Sequence, residues 1–393
     1  MKTPGVHLLR SNEAFEPHQF EWQQLCERAG CDSLFHHPIW LKAAWSYPGK
    51  PFLLAALEST EGWSTALTLC PRFDTGGHLH FPARALTILP HLPMIYPSLP
   101  VAACVPGTQT SEVARLLAAA LDSLSWDALS FDYLSTDTDW LERGVRHLAA
   151  ERGWHVESVA SSDEAWMDFP QGPDAYWAQR SGPLKRKLHK AARELAGCAE
   201  ITREDVALGS ASFADCFETL RPAFECSWQK GAGLSPFDES RRSLNIRELE
   251  ALFRDGRIFV PALRADGRIV AFEVWLRGGT EMFGIARGLD PAYAAYSIGN
   301  QLIAWTLEET FRRGVTRLYL GPVNDQPHMS YKERWLTGRR PNHRLIVVRP
   351  RSPYGAWHRL LAKHPRLLEV WRRARIAHFA REGFYALRSL KRR

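Results

Sequence analysis

No uninterrupted apolar run in this sequence approaches the roughly 18 to 20 residues that a membrane-spanning helix requires. The start, Met1-Lys2-Thr3-Pro4-Gly5, has no apolar core of the signal-peptide kind, so the chain is expected to stay in the cytoplasm. The most lipid-like stretch, Phe81 to Val105, is interrupted by Pro82, Pro90, Pro93, Pro97 and Pro100. Each proline fixes φ and removes a donor, so the stretch reads as an ordered loop. The seven cysteines (26, 31, 70, 104, 198, 216 and 226) are an odd set without a C-x-x-C pair. Neither a disulfide framework nor a zinc ribbon is supported, and free, mostly buried thiols are expected. His36, His37, His78, His80 and His91 lack carboxylate or thiolate partners at useful spacing, so no metal is expected. A basic body is also missing. From Arg349 onward there are 13 Lys/Arg and 2 Asp/Glu, which leaves 37 against 41, or −4, for residues 1–348. A broad nucleic-acid footprint is therefore not expected.

What is present fits a folded chain of 393 residues, with 45% apolar and 24% charged residues and 15 tryptophans. Helices are expected at Glu21 to Arg28 and from Pro38 to Trp45. A hairpin follows, Phe52 to Leu57 and Trp63 to Leu69 around Glu58 to Gly62. Then come a helix (Ser111 to Leu124), a strand (Ala128 to Leu134), a helix (Asp139 to Arg152) and a strand (Trp154 to Val159). The same order returns later. Ile258 to Leu263 and Ile269 to Leu276 flank a turn at Arg264 to Arg268, Thr280 to Arg287 adds a strand, and Ile298 to Arg313 is a helix followed by the strand Val315 to Leu320. The repeat reads as a duplication or as chance similarity of common elements. As a duplication, it puts the boundary in the polar stretch Ser161 to Asp174, punctuated by Pro170-Gln171-Gly172-Pro173.

The later half carries an ordered series: "WAQRSGPLKRKLHKAAREL" from Trp177, "FECSWQKG" from Phe224, the hairpin at Asp266-Gly267, Ser297-Ile298-Gly299 opening a helix, and "LYLGPVNDQPHMSYKERW". This series resembles the GNAT-like acyltransferases related to the Fem aminoacyltransferases, specifically the cellulose- or exopolysaccharide-associated branch. The resemblance implies an α/β (α+β) fold of tandem, duplicated GNAT-like mixed sheets flanked by helices. The implied divisions are an N-terminal GNAT-like half (1–165), a C-terminal acyltransferase half (166–348) and a basic amphipathic helical tail (349–393).

Several residues are candidates for the chemistry. The resemblance places a donor pyrophosphate over the loop Tyr296, Ser297, Ile298, Gly299 and Asn300, where free amides meet the positive end of a helix. The loop has one glycine where relatives have two and no Arg, and Ser297 reads equally as a plain N-cap. Glu273, alone among apolar residues in "IVAFEVWL", is either a general base or half of a buried salt bridge with Arg287. Tyr331 and Lys332 occupy the Tyr-Lys position of relatives, where the tyrosine protonates the departing thiolate and the lysine neutralises a phosphate or acidic acceptor. The other reading is that "SYKERW" starts a helix with core aromatics. Asp325 and His328 are secondary proton-transfer candidates in a loop. Lys185, Arg186, Lys187, Lys190 and Arg193 form a basic helix, either a solvated face or a guide for phosphate. Trp40, Trp45, Trp177 and Trp228 either stack on an acceptor sugar or pack in the core.

The resulting functional reading is an acyltransferase that uses acetyl-CoA or another acyl-CoA as co-substrate, without metal. Its acceptor is a small-molecule or lipid-linked saccharide or cell-envelope precursor carrying an amine or hydroxyl. The alternatives are an aminoacyl-tRNA-dependent Fem-like transferase, or a non-catalytic GNAT-like protein docking on a membrane or a synthase complex. The tail is expected either to make peripheral contact with anionic lipid on the inner face of the membrane or to cap the body.

Overall fold

The computed structural model describes residues 5–31, 34–45, 52–75, 82–87, 101–161, 163–227, 246, 249–321, 323, 331–352, 355, 356, 359, 360 and 363. The first part of the chain runs β1 (Val6–Leu9), α1 (Asn12–Phe15), α2 (Gln19–Arg28), α3 (Pro38–Trp45), β2 (Leu53–Ser59), β3 (Gly62–Thr75), β4 (Pro82–Thr87), β5 (Ala102–Cys104), α4 (Thr110–Asp122), β6 (Ala128–Leu134), α5 (Asp139–Arg152) and β7 (His155–Ala160). The second runs β8 (Glu164–Asp168), α6 (Pro173–Ala178), α7 (Gly182–Ala196), β9 (Ile201–Asp205), α8 (Phe213–Cys226), β10 (Ile258–Phe259), β11 (Pro261–Ala265), β12 (Arg268–Gly278), β13 (Glu281–Leu289), α9 (Ile298–Arg312), β14 (Arg317–Tyr319), β15 (Gly338–Arg340) and β16 (His343–Val348).

These strands build two mixed sheets of matching order, β1-β2-β3-β4-β6-β16-β7 and β9-β11-β12-β13-β14-β8-β15. Each has a parallel pair at the corresponding place, β4 with β6 and β13 with β14, reached through a helix, α4 or α9. The expected tandem α/β architecture is therefore observed. Two expectations are corrected. The polar stretch after Ser161 is not only a linker, because it contains β8, which inserts between β14 and β15 of the second sheet. Conversely β16, expected within the second half, inserts between β6 and β7 of the first. β16 thus returns from the far end of the chain to the first sheet, so the chain passes from the first sheet to the second between β7 and β8 and back again between β15 and β16. The supposed loop from Phe81 also begins with a strand, β4, with Pro82 at its first position, where strands tolerate proline. Most of the tail lies outside the described residues.

Alternation along the strands sorts two cores. In the first sheet Leu53, Ala55 and Leu57 pack with α4 and α5 residues such as Leu117 and Leu148. On its other face Leu54 and Ala56 share one continuous core with Phe272, Val274 and Leu276 of β12. The halves meet closely here: Phe35 packs edge-on to Phe283 at 4.8 Å between ring centres, and a Cβ on Gly278 would lie 2.4 Å from the Leu34 amide nitrogen. The opposite face of the second sheet, with Met282, Trp275 and Leu318, packs under α6, α7 and α9.

Candidate functional site

β13 and β14 pair over only three positions, Glu281 to Phe283 against Arg317 to Tyr319. β13 continues to Leu289, so beyond Phe283 its edge facing β14 has no ladder partner among the described residues, and the sheet opens. A bulge sits at the same point. Trp275 is opposite Gly284 but Val274 is opposite Ala286, so Ile285 is an extra residue. A bulge reverses the alternation that follows it. Phe283 and Ile285 face the core shared between the halves, and Arg287 is turned toward α9 instead.

That turn brings Arg287 onto Glu273. Its Nη2 lies 2.9 Å from Glu273 Oε1 and donates to the Gly299 carbonyl at 2.9 Å, and its guanidinium stacks 4.9 Å over the Tyr331 ring. Glu273 Oε2 accepts from Trp275 Nε1 at 3.0 Å and Thr306 Oγ1 at 3.3 Å. Glu273 is 5% exposed and both its oxygens are engaged, so the buried-pair reading is the one the structure realises. This carboxylate holds Arg287, and through it the first turn of α9. Desolvation works against the Arg287 charge, but Tyr331 and Glu273 outweigh it and hold its pKa up.

The loop before α9 is built for close approach. Residues Pro291–Tyr296 form a 3₁₀ turn, and Ser297 adopts φ +50°, the left-handed region. Ser297 makes no side-chain cap, so the plain N-cap reading fails. Its carbonyl takes the amides of Asn300 and Gln301, while the amides of Ile298 and Gly299 have no acceptor among the described residues. No acidic side chain stands in this first turn. The corresponding helix of the first half, α4, is closed by contrast. There Glu112 reaches back to the Gln109 amide in a capping box, placing a carboxylate where an anion would sit. Of the two comparable helix ends, only that of α9 is open to a phosphate.

Other candidates separate. Tyr296 donates its hydroxyl to Cys198 Sγ at 3.3 Å beside α7, which packs against the Pro291–Tyr296 turn. Leu184 and Leu188 of α7 pack farther along α9, with Ile303 and Leu307, so half-buried Lys185 and exposed Arg186 lie at the end of α7 away from the loop. Asn300 Oδ1 accepts from Trp335 Nε1 at 3.1 Å. Lys332 is buried at 3% exposed, where desolvation and then the Arg287 charge lower its pKa to about 8. It is an interior cation, not a surface clamp. Trp177 meets Trp335 edge-on at 5.6 Å in the core under α6, and Trp40 is buried in the shared core, so both pack as structural residues. Asp325, His328 and Trp228 lie outside the described residues. No group of three potential metal ligands occurs among the described residues.

The sequence reading missed a second polar cluster on the opposite face of the same opening. Tyr319 stacks on Phe283 (4.7 Å, 2°) and donates to Glu281 at 3.3 Å. Arg317 bridges Asp168 at 2.5 Å and Glu281 at 3.2 Å. Glu164, two residues from the Trp166 that pairs with Tyr319, holds Arg340 at 2.5 Å. The only signal in sequence is the alternation of Glu164, Trp166 and Asp168 along a short strand.

Residues 182–333 match the family model described as the acetyltransferase (GNAT) domain. No curated protein matches the chain by sequence. Among solved structures, FemX aligns with a TM-score of 0.54 at 9% identity over 83% of this chain and 95% of that one. The C-terminal domain (DUF2156) of a putative lysylphosphatidylglycerol synthetase from Agrobacterium fabrum gives 0.50 at 13% identity over 87% and 94%. A tandem GNAT protein from the clavulanic acid biosynthesis pathway aligns over 87% and 97% at 13% identity with a TM-score of 0.49. At these identities the first two likenesses show the fold alone.

Proposed function

We propose that the second half transfers an acyl group from acyl-CoA, acetyl in the simplest case, to an amine or hydroxyl of a sugar-containing or cell-envelope precursor. The observation that carries this is the opening between β13 and β14, with the free amides of Ile298 and Gly299 at one end of it. A thioester is long and narrow, with an anionic head and a polar carbonyl near its tip. The amides at the start of α9 suit the pyrophosphate. The pantetheine arm lies along the edge of β13, whose backbone groups beyond Phe283, unpaired among the described residues, supply amide partners. Around the bulge at Ile285 such amides would meet the oxyanion that forms when the carbonyl is attacked.

The chain's own groups then have distinct tasks. Glu273 fixes Arg287, and Arg287 fixes the Gly299 carbonyl, so the first turn of α9 is held open without a cap. Tyr331, under the guanidinium, is the candidate to protonate the leaving thiolate. The family match to the acetyltransferase domain supports acyl-CoA over aminoacyl-tRNA as donor, and the −4 charge of residues 1–348 agrees. The exopolysaccharide setting, cytoplasmic location and anionic-membrane contact by the tail rest on the sequence resemblance and the tail's composition.

The test is direct binding of acetyl-CoA by calorimetry, followed by release of free thiol from acetyl-CoA in the presence of candidate acceptors. Saturable binding with one site per chain is expected. Absence of binding, with the protein folded, would leave a non-catalytic GNAT-like protein as the better reading.

A further inference from the structure

The polar cluster around Tyr319 is unbalanced. Arg317 is shared between Asp168 and Glu281, and Arg340 is shared between Glu164 and Asp137 of the first half. Two guanidinium groups thus serve four carboxyl groups. Glu164 is 4% exposed, yet its Oε1 is buried without a hydrogen-bond partner among the described residues. A buried, half-satisfied carboxylate costs stability, and such groups persist mainly where function uses them. Burial raises the pKa of Glu164 against the pull of Arg340, and burial likewise raises that of Glu281 against Arg317. Both shifts would be relieved by one more cation.

Position gives the deficit a meaning. Trp166 pairs with Tyr319, the last residue of β14, so Glu164 lies beyond the end of that strand, where the β13–β14 opening begins. It shares a face with Trp166 and Asp168, the side on which Phe283 and Ile285 line the junction between the halves. The donor loop and Arg287 are on the opposite face. An acceptor reaching the β13–β14 opening would therefore meet Glu164 from the side away from the acyl donor.

We propose that the Glu164 carboxylate, framed by Tyr319, Glu281 and Arg340, is the acceptor-amine site, selecting a cationic primary amine and taking its proton. This deepens the acyl-transfer reading and rests on it. The bound ammonium gives one proton to Glu164. The neutral nitrogen attacks the thioester carbonyl, the N–C bond forms and the C–S bond breaks. The second nitrogen proton leaves with the thiolate, and the products are an amide and free CoA. The reaction at this site is N-acylation, and hydroxyl acceptors are disfavoured because they bring no charge to the deficit.

The test separates this site from the donor reading. n-Propylammonium chloride is titrated against full-length protein with acetyl-CoA present and absent, with sodium chloride at matched ionic strength and n-propanol as controls. Thermal stabilisation by the ammonium alone is expected. Glu164→Gln should weaken it by about tenfold or more, the usual worth of one charge-assisted hydrogen bond. Glu164→Gln should leave acetyl-CoA binding unchanged and lower thiol release with n-propylamine most strongly at low pH, because at high pH solvent deprotonates the amine. Glu164→Asp keeps the charge and should retain the response, and it carries the test if the Gln variant does not fold. No ammonium effect on the wild type, an equal effect in Glu164→Gln, or equal stabilisation by n-propanol would overturn the amine site. Failure of acetyl-CoA to bind while the ammonium response persists would instead remove the donor reading.

Discussion

Replacing Glu273 with Gln separates a structural carboxylate from a catalytic one. The amide has the same shape but one donor group in place of an acceptor oxygen. If its NH₂ faces Arg287, two donors oppose each other in a site where Arg287 is 15% and Glu273 6% exposed at the side chain. If it turns round, the bond to Arg287 survives but Trp275 Nε1 and Thr306 Oγ1 face a donor. The first arrangement leaves a nearly buried cation without its counter-charge, which costs about 3–5 kcal/mol. The second gives up two hydrogen bonds to a carboxylate, at about 1.5–3 kcal/mol each, and the charge attraction besides. Either way the expected loss is about 3–5 kcal/mol, read as a lower denaturant midpoint by tryptophan fluorescence. Glu273→Leu combined with Arg287→Met should recover most of it, since apolar pairs commonly replace buried ion pairs at little cost. Donor affinity should fall in the single variant, because Arg287 loses its anchor and with it the grip on the Gly299 carbonyl. A Gln variant as stable as wild type, with donor binding intact and turnover down by about a hundredfold, would refute this and restore Glu273 as the general base.

Gly299→Asp should raise the acetyl-CoA dissociation constant by about a hundredfold or more, because it puts a negative charge in the first turn of α9 beside the pyrophosphate site. A Cβ there meets Leu289 Cδ1 at 3.0 Å and Arg287 Nη2 at 3.5 Å, so calorimetry is paired with a melt that should show a modest loss as Leu289 shifts. Lys332→Met tests the buried cation by pH. The folded-state pKa of about 8 is below the ordinary lysine value of 10.5, so between them the unfolded chain binds more protons and stability rises with pH. Below about pH 8 the penalty is complete, and the Met variant should lack that rise. A parallel pH profile in both proteins would contradict the assignment. Gly278→Ala should destabilise the junction of the halves by about 1–3 kcal/mol or more, because its Cβ collides with the Leu34 backbone rather than with a flexible tip. An unperturbed melt would mean the halves are not packed there.

The parts of this fold that could be read from sequence are those whose signal is local. The helix Asp139–Arg152 and the strand Ala128–Leu134 match the expectation end to end, because periodicity and flanking turns specify each within its own residues. The loop before α9 was found for the same reason, since small residues followed by a helical period are contiguous. What decides the site is not contiguous. Glu164–Asp168 is five residues long and sits beside Pro170 and Gly172, so it reads as punctuation, and nothing within it says that its partners are Arg317 to Tyr319 and Gly338 to Arg340. The return of β16 to the first sheet is likewise invisible locally, because nothing within His343–Val348 names β6 and β7 as its neighbours. Arg287 shows the limit most clearly. Simple alternation through Phe283 and Ile285 points it toward the shared core, and only the extra residue at Ile285 turns it onto Glu273 and Gly299. A bulge is a mismatch between two strands, so it has no signature in either strand alone. The carboxylate that stood out in sequence, Glu273, proves to be fully partnered, whereas the half-satisfied one, Glu164, looked like part of a linker. An unusual residue in a strand therefore marks where to look, and the unmet hydrogen bond, which only the assembled sheet reveals, marks what remains for a substrate to supply.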